Sequence, residues 1–217
     1  MYRNSIGAIF VDWYKTLSIS EFWNCSANNY LTPLELLRVE RYVFSRPDLV
    51  RKWMIGTIAS EDVCAAAASA LKLSPEHVLA DLAESCRAME LYDPSVLETL
   101  KSMTDRGTKV VLATDNMDTF ARWTVPALGL DTCFDAILTS HACRAMKADL
   151  IEGYSPFFSP WLSERRIEPA AAVLVDDCAV PAAEAIGMTF RLVEHPGDLA
   201  GILRELVAGE CSQSVES

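Results

Sequence analysis

The stretch IFVDWYKTL at residues 9–17 decides the fold, because an apolar run ends there on a carboxylate. The run at residues 6–11 is too short for an independent helix and is rich in Ile, Val and Phe, as is typical of a buried strand. Asp12 follows this strand directly, and the hydroxyl of Thr16 comes four residues later. The sequence therefore begins with a strand that ends on a chemically useful group.

Four further apolar runs have the same character and are separated by segments with helix signals. This alternation predicts an α/β protein, with a Rossmann-like open parallel sheet as its core and helices on both faces of the sheet. The four runs are residues 109–113, 136–138, 172–175 and 189–193.

Polar side chains follow most of these strands. Thr114 comes after the second strand, Thr139 after the third, and the pair Asp176 and Asp177 after the fourth. Ligands bind at the carboxyl ends of the strands in open parallel sheets, so we expect these side chains to meet Asp12 in one crevice. The acidic pair is the most informative, because adjacent carboxylates repel each other unless a cation lies between them.

The long gap between the first two strands carries four helix starts. Thr32 and Glu35 form a capping box around Pro33, and further helices are predicted to begin at Pro47, near Ser60 and at Pro75. These helices predict a small all-helical cap over residues 18–95. The predicted α/β hydrolase core comprises residues 1–17 and 96–208, and a short polar tail at 209–217 is expected to be flexible.

Composition limits the classes of function. The chain has 217 residues, 51% of them hydrophobic, and a formal net charge of -11, which disfavours nucleic acid and anionic membranes as partners. Its seven cysteines show no CxxC spacing, and no apolar run is long enough to span a membrane. We expect a cytoplasmic protein with reduced thiols that acts on a small anionic molecule, and the sequence leaves a homodimer open.

The order of these motifs resembles that of the haloacid dehalogenase superfamily of hydrolases, which includes phosphatases. An Asp-x-x-x-Thr-Leu opening at Asp12 is followed by a helical cap, a strand ending in Thr114, a lysine at Lys147 and a strand ending in the acidic pair. The resemblance implies that Asp12 is a nucleophile, which forms a covalent ester that water then opens. It also implies catalytic roles for Tyr14, Thr114 and Lys147, and substrate binding by Thr16, Asp115 and Asn116.

The resemblance further implies a Mg²⁺ cofactor. Asp12, Asp177 and Asp176 would bind the ion together with the backbone carbonyl of Tyr14. An all-oxygen site of this kind also favours a hard cation on chemical grounds. The preferred function is thus Mg²⁺-dependent hydrolysis of a small phosphate monoester through an aspartyl-phosphate on Asp12.

Two departures from the family pattern keep other functions open. Tyr14 replaces the second aspartate that phosphatases of this superfamily use as acid and base, and a tyrosine is a poor base at neutral pH. The same tyrosine resembles 2-haloacid dehalogenases, although Lys15 replaces their usual glycine and the acidic pair is foreign to them. A weakly active or non-catalytic binding or regulatory protein is the third alternative.

Overall fold

The computed structural model describes residues 6–23 and 30–214, and residues 209–214 are described by their backbone alone. Five parallel strands form one sheet in the order β3-β2-β1-β4-β5, which confirms the predicted α/β core. The strands are β1 (Ala8–Val11), β2 (Lys109–Thr114), β3 (Ala136–Thr139), β4 (Ala172–Asp176) and β5 (Thr189–Leu192). In the described part of the chain, no helix is long and apolar enough to cross a membrane.

The central strand β1 is buried on both faces, and its alternating side chains divide the core. Ile9 and Val11 pack into one apolar cluster, and Ala8 and Phe10 pack into a second cluster on the other side of the sheet. Helices α5 (Val96–Asp105) and α10 (Leu199–Ser214) contribute to the first cluster, while α8 (Ser159–Arg165) and α9 (Pro181–Ala185) contribute to the second. Short helices α6 (Val125–Leu128) and α7 (Ser140–Cys143) complete the chain order.

Five helices of the described chain lie between β1 and β2, and we call the first four of them the helical insertion. They are α1 (Pro33–Phe44), α2 (Pro47–Met54), α3 (Ser60–Leu71) and α4 (Pro75–Arg87). The capping box of Thr32 and Glu35 is present, so the helix start predicted at Pro33 is confirmed. The extent of the cap as a separate domain stays a prediction.

The chain enters and leaves the helical insertion at neighbouring points. The Ser18 hydroxyl donates to the Glu90 carbonyl at 2.6 Å, and the Tyr92 N–H donates to the Leu17 carbonyl at 2.9 Å. Ser18 itself is held by its N–H, which donates to the Trp13 carbonyl at 2.8 Å. The two connections between the core and the helical insertion therefore run side by side.

A buried carboxylate of the core fastens the helical insertion. Asp118 accepts hydrogen bonds from the indole N–H of Trp53 at 2.8 Å and from the Ser60 hydroxyl at 2.6 Å. Its second oxygen accepts from Arg122 at 2.9 Å and from the Ser60 N–H at 3.3 Å, and Arg122 also pairs with Glu61 at 2.7 Å. A cluster of polar contacts of this kind fixes the orientation of two packed layers.

The last helix differs from its sequence-based prediction. The sequence predicts an end near residue 208, before Gly209, but α10 continues to Ser214. One glycine lowers helix stability by about 1 kcal/mol, which the apolar packing of the preceding turns can override. The described helix thus takes up most of the segment that was expected to be a tail.

Candidate active site

The site is built at the carboxyl ends of β1, β2 and β4. Asp12 comes directly after β1, and its N–H donates to the Val175 carbonyl of β4 at 3.0 Å. Thr114 is the last residue of β2, and Asp176 is the last residue of β4. The chain order reverses between β1 and β4, and such a switch point opens a crevice for ligands in α/β sheets.

A lysine joins two carboxylates at the bottom of this crevice. Lys147 Nζ lies 2.6 Å from Asp12 Oδ1 and 2.6 Å from Asp176 Oδ2, and all three residues are buried. The segment that carries Lys147 is tied to the sheet, because the Lys147 N–H donates to Asp115 Oδ1 at 2.9 Å. Two buried carboxylates thus share one ammonium group.

Burial and charge shift the protonation equilibria of the trio. Burial raises the pKa of Asp12, the Lys147 ammonium opposes this effect, and the nearby Asp176 carboxylate adds to it, so that the net shift is upward. Burial alone would lower the pKa of Lys147, but the charges of Asp12 and Asp176 outweigh it and hold the ammonium protonated. The lysine is therefore a fixed positive charge at neutral pH.

A third carboxylate completes a cluster that suits a cation. Carboxylate oxygens of Asp12, Asp176 and Asp177 all lie within 4.8 Å of one another. The pKa of Asp177 is raised by burial and by the adjacent Asp176, and Lys15 and Lys147 oppose this increase. Mutual repulsion of this kind is relieved when a cation binds between the carboxylates.

The predicted residues surround one open cavity of about 260 Å³. Asp12, Thr114 and Lys147 form part of its wall, and Cys178 and Val180 continue the wall beyond the acidic pair. Three other predicted residues also line it, namely Tyr14, Asp115 and Asp177, as does Asp176. The structure thus brings seven of the nine predicted site residues to a single cavity.

Two predicted substrate-binding residues, Thr16 and Asn116, do not line this cavity, and their binding role stays a prediction. Thr16 is buried beside Tyr92 and Leu199, where it lines a separate cavity of about 10 Å³ and its hydroxyl has no hydrogen-bond partner among the described residues. The Asn116 side-chain oxygen accepts from the Met117 N–H at 3.0 Å, and its own N–H donates to the Ser140 hydroxyl at 2.9 Å. Both residues shape the loops rather than the cavity wall.

Tyr14 lines the cavity, and Lys15 follows it in the chain. The Tyr14 side chain is 46% exposed, and Lys15 Nζ lies 5.4 Å from the centre of its ring. Lys15 has φ of 60°, in the left-handed region where a side chain is strained and glycine is favoured. The backbone geometry explains why the resemblance predicts a glycine at this position.

Sequence reasoning missed the residues that follow the acidic pair. The Cys178 N–H donates to Asp176 Oδ1 at 3.0 Å, so a tight turn carries residues 178–180 along the cavity wall. The signal was available, because aspartate side chains accept hydrogen bonds from the backbone two residues later. Cys178 is exposed and is a free thiol.

The helical insertion contributes none of the described residues of the cavity wall. Its arginines have other contacts: Arg51 pairs with Asp149 at 3.1 Å, and Arg46 stacks over the Tyr42 ring at 3.7 Å. Asp149 in turn accepts from the Met146 N–H at 2.9 Å, in the segment that carries Lys147. The insertion therefore touches the site through this segment.

The chain matches the family model of the haloacid dehalogenase-like hydrolases over residues 9–173. No curated protein matches it in sequence. Solved structures share its fold. One is the HAD family enzyme bt-2542 from Bacteroides thetaiotaomicron, with 13% identity and a TM-score of 0.69 over 92% of this chain and 98% of that one.

Two further solved structures are similar in fold. The same Bacteroides enzyme in complex with magnesium and inorganic phosphate has 13% identity and a TM-score of 0.59, over 86% of this chain and 93% of that one. An L-2-haloacid dehalogenase from Xanthobacter autotrophicus with chloropropionic acid covalently bound has 19% identity and a TM-score of 0.60, over 94% and 83%.

Proposed function

The chain belongs to the haloacid dehalogenase-like hydrolase family, and we propose that it hydrolyses a small phosphate monoester with Mg²⁺ as cofactor. The observation that carries this proposal is the cluster of Asp12, Asp176 and Asp177 oxygens within 4.8 Å of one another. A phosphate ester brings more negative charge to a site that is already acidic, so it binds only with a cation.

The donor set fits a magnesium ion. Hard cations prefer carboxylate and carbonyl oxygens, and three carboxylates offer oxygens within 4.8 Å of one another here. Asp12, Asp176 and Asp177 would hold the ion, with the Tyr14 carbonyl and water as further ligands. A bound Mg²⁺ supplies positive charge that keeps these carboxylates ionised beside the phosphate.

Asp12 is the nucleophile of this proposal. Lys147 holds one of its carboxylate oxygens, which leaves the other oxygen to attack phosphorus and form an aspartyl-phosphate. The Thr114 hydroxyl at the end of β2 holds an oxygen of the transferring group. Lys147 neutralises negative charge as it builds up between nucleophile and phosphate, which is the kind of stabilisation that a buried, fixed cation provides best. Water then opens the aspartyl-phosphate.

The second candidate is 2-haloacid dehalogenation, and Tyr14 is the observation that favours it. Tyr14 lines the cavity at the position where phosphatases of this superfamily carry an acid. A halide leaves as a stable anion and needs no proton, so this reaction does not depend on an acid there. The similar Xanthobacter dehalogenase has chloropropionic acid bound covalently, and in our second candidate Asp12 would form the corresponding ester.

One set of assays separates these functions. Wild type, Asp12→Asn and the control Asp131→Asn, which changes an exposed carboxylate on a helical turn, are incubated with phosphate monoesters and with 2-chloropropionate. Each reaction is run with Mg²⁺ or with a chelator, and released phosphate and halide are measured. Phosphate release that requires both Mg²⁺ and Asp12 supports the first proposal, and halide release indifferent to chelator supports the second. The absence of both ions overturns both and leaves a binding or regulatory protein.

A further inference from the structure

Phosphate ester hydrolysis needs a proton for the leaving oxygen, and the proposed mechanism has no acid at position 14. Of the described residues, four carboxylates line the cavity. Three of them, Asp12, Asp176 and Asp177, form the cation cluster. In the proposed function these three are ionised, as ligands of the cation and, for Asp12, as the nucleophile. The remaining one is Asp115, which directly follows Thr114 at the end of β2.

The structure fixes the orientation of Asp115. Its Oδ1 accepts the backbone N–H of Lys147 at 2.9 Å, so the side chain is held against the segment that carries Lys147. This contact joins the end of β2 to that segment. Thr114, which precedes Asp115, is the residue proposed to hold an oxygen of the transferring phosphoryl group. The carboxyl group of Asp115 therefore lines the cavity and lies outside the cation cluster.

We propose that Asp115 is the general acid and base of phosphate ester hydrolysis, in place of the aspartate that Tyr14 replaces. The inference rests on the proposed function, and it adds a catalytic residue with a stated proton transfer. It also predicts the substrate class: an Asp115 acid allows esters of ordinary alcohols, whose alkoxide leaves only with a proton.

The proton balance closes with the residues at hand. Asp12 attacks phosphorus, the bond from phosphorus to the ester oxygen breaks, and the leaving alkoxide takes the Asp115 proton to depart as an alcohol. The Asp115 carboxylate then takes a proton from the water that attacks the aspartyl-phosphate. The bond from phosphorus to Asp12 breaks, phosphate leaves, and both residues return to their starting states.

The electrostatic surroundings of Asp115 agree with an acid. Burial raises the pKa of Asp115; Lys147 opposes this through its charge and its N–H, and Asp176 and Asp149 add to it, so that the net shift is upward. A raised pKa brings a carboxyl group closer to the value at which it both gives and takes a proton near neutral pH. The three charged groups that face Asp115, namely Lys147, Asp176 and Asp149, are thus compatible with its role.

The decisive experiment compares two leaving groups in Asp115→Asn. Asparagine keeps the volume and an oxygen that accepts the Lys147 N–H, but it carries no proton to transfer. For an alkyl ester such as glycerol phosphate, we expect kcat/KM to fall by about 10²–10⁴-fold. For p-nitrophenyl phosphate, whose nitrophenolate leaves without a proton, we expect less than about a tenfold fall. The parameter kcat/KM covers the steps up to departure of the leaving group, so it isolates the acid function.

Pre-steady-state kinetics test the base function separately. With p-nitrophenyl phosphate, Asp115→Asn is expected to release a rapid burst of nitrophenol and then turn over slowly, because the aspartyl-phosphate waits for an activated water. Asp131→Asn serves as the matched control and is expected to behave as wild type on both esters. If Asp115→Asn does not fold by circular dichroism, Asp115→Ser supplies a second neutral variant.

The outcomes distinguish this inference from the proposed function. Equal losses on both esters would show that Asp115 only positions Lys147, and an unchanged variant would remove any role, so either result overturns the inference. In both of these cases wild type still releases phosphate, and the proposed function stands. If wild type releases phosphate from neither ester, the proposed function fails, and the acid role of Asp115 fails with it.

Discussion

Replacing Asp118 by asparagine tests how firmly the helical insertion is attached to the core. In the structure, one oxygen of Asp118 accepts from Trp53 and Ser60, and the other accepts from Arg122 and from the Ser60 N–H. Asparagine keeps one acceptor oxygen, and its amide N–H₂ takes the place of the other. The amide then faces either Arg122 and the Ser60 N–H, or Trp53 and the Ser60 hydroxyl. At least one hydrogen bond from a buried donor is lost in either case, because neither the Trp53 N–H nor the Ser60 N–H can accept from the amide.

The expected loss follows from these contacts. A hydrogen bond to a charged group contributes about 1.5–3 kcal/mol, and a buried donor without a partner costs about 1–3 kcal/mol. Arg122 is 41% exposed and recovers water, so we take the lower half of these values and expect the free energy of unfolding to fall by about 2–3 kcal/mol. For a chain of this size the melting temperature would fall by about 5–10 °C.

Urea unfolding followed by tryptophan fluorescence measures this loss, with Trp53 as a reporter at the contact. The control is Glu61→Gln, which removes the exposed half of the same network and is expected to lower the free energy of unfolding by less than about 1 kcal/mol. A loss for Asp118→Asn no larger than that of Glu61→Gln would refute the reasoning, since the buried carboxylate would then contribute no more than a surface ion pair.

The same pair of proteins gives a pH dependence. Burial opposes ionisation of Asp118, but hydrogen bonds from Ser60, Trp53 and Arg122 outweigh it and lower the pKa of Asp118. A carboxylate with a lowered folded-state pKa adds stability above the unfolded-state pKa of about 4, and that stability is lost as pH falls through the folded-state pKa. The difference between wild type and Asp118→Asn is therefore expected to be full at neutral pH and to shrink below about pH 4. A constant difference down to pH 2 would contradict this assignment.

Further predictions concern the backbone, the core and the site. Lys15→Gly is expected to raise the free energy of unfolding by about 0.5–1 kcal/mol, because a φ of 60° strains a residue with a side chain. Lys15→Ala keeps the Cβ atom and should give no gain. Equal effects of the two substitutions would refute the strain. Phe10→Ala should lower the free energy of unfolding by about 3–5 kcal/mol, since Phe10 is fully buried with two aromatic rings at 5.2–5.5 Å, and a loss under 1 kcal/mol in urea unfolding would be inconsistent with that packing. Lys147→Met should lower kcat/KM for phosphate release at least about 10²-fold. Lys109→Met changes an ion-paired lysine at the start of β2, at the other end of that strand from Thr114, and should keep wild-type activity. Similar losses in both variants would argue against a special role for Lys147.

The sheet and the positions of the candidate site residues at its strand ends follow from the sequence, because both depend on local patterns. Short runs rich in Val and Ile predict strands, and the direction of parallel strands sends Asp12, Thr114 and Asp176 to one edge without further information. The start of α1 is equally local, since Thr32 and Glu35 satisfy each other's backbone groups.

Features that depend on contacts between distant segments could not be predicted. Asp118 looks like an ordinary polar residue in a loop, and its role depends on Trp53 and Ser60, which come about 60 residues earlier in the chain. Thr16 has the right spacing from Asp12, but the tight turn between them directs its hydroxyl into a separate small cavity. Spacing along the chain gives proximity to the site, whereas the direction of a side chain depends on the turn.

The paired connections at Ser18 and Glu90 make the helical insertion a replaceable module. The two connections between the core and the insertion are hydrogen-bonded to each other. The insertion is therefore attached to the core at one place and leaves the strand order of the sheet unchanged. An insertion of another length could replace this one between the same two attachment points, Ser18 and Glu90. The residues of the candidate site would keep their places, because the insertion contributes none of the described residues of the cavity wall.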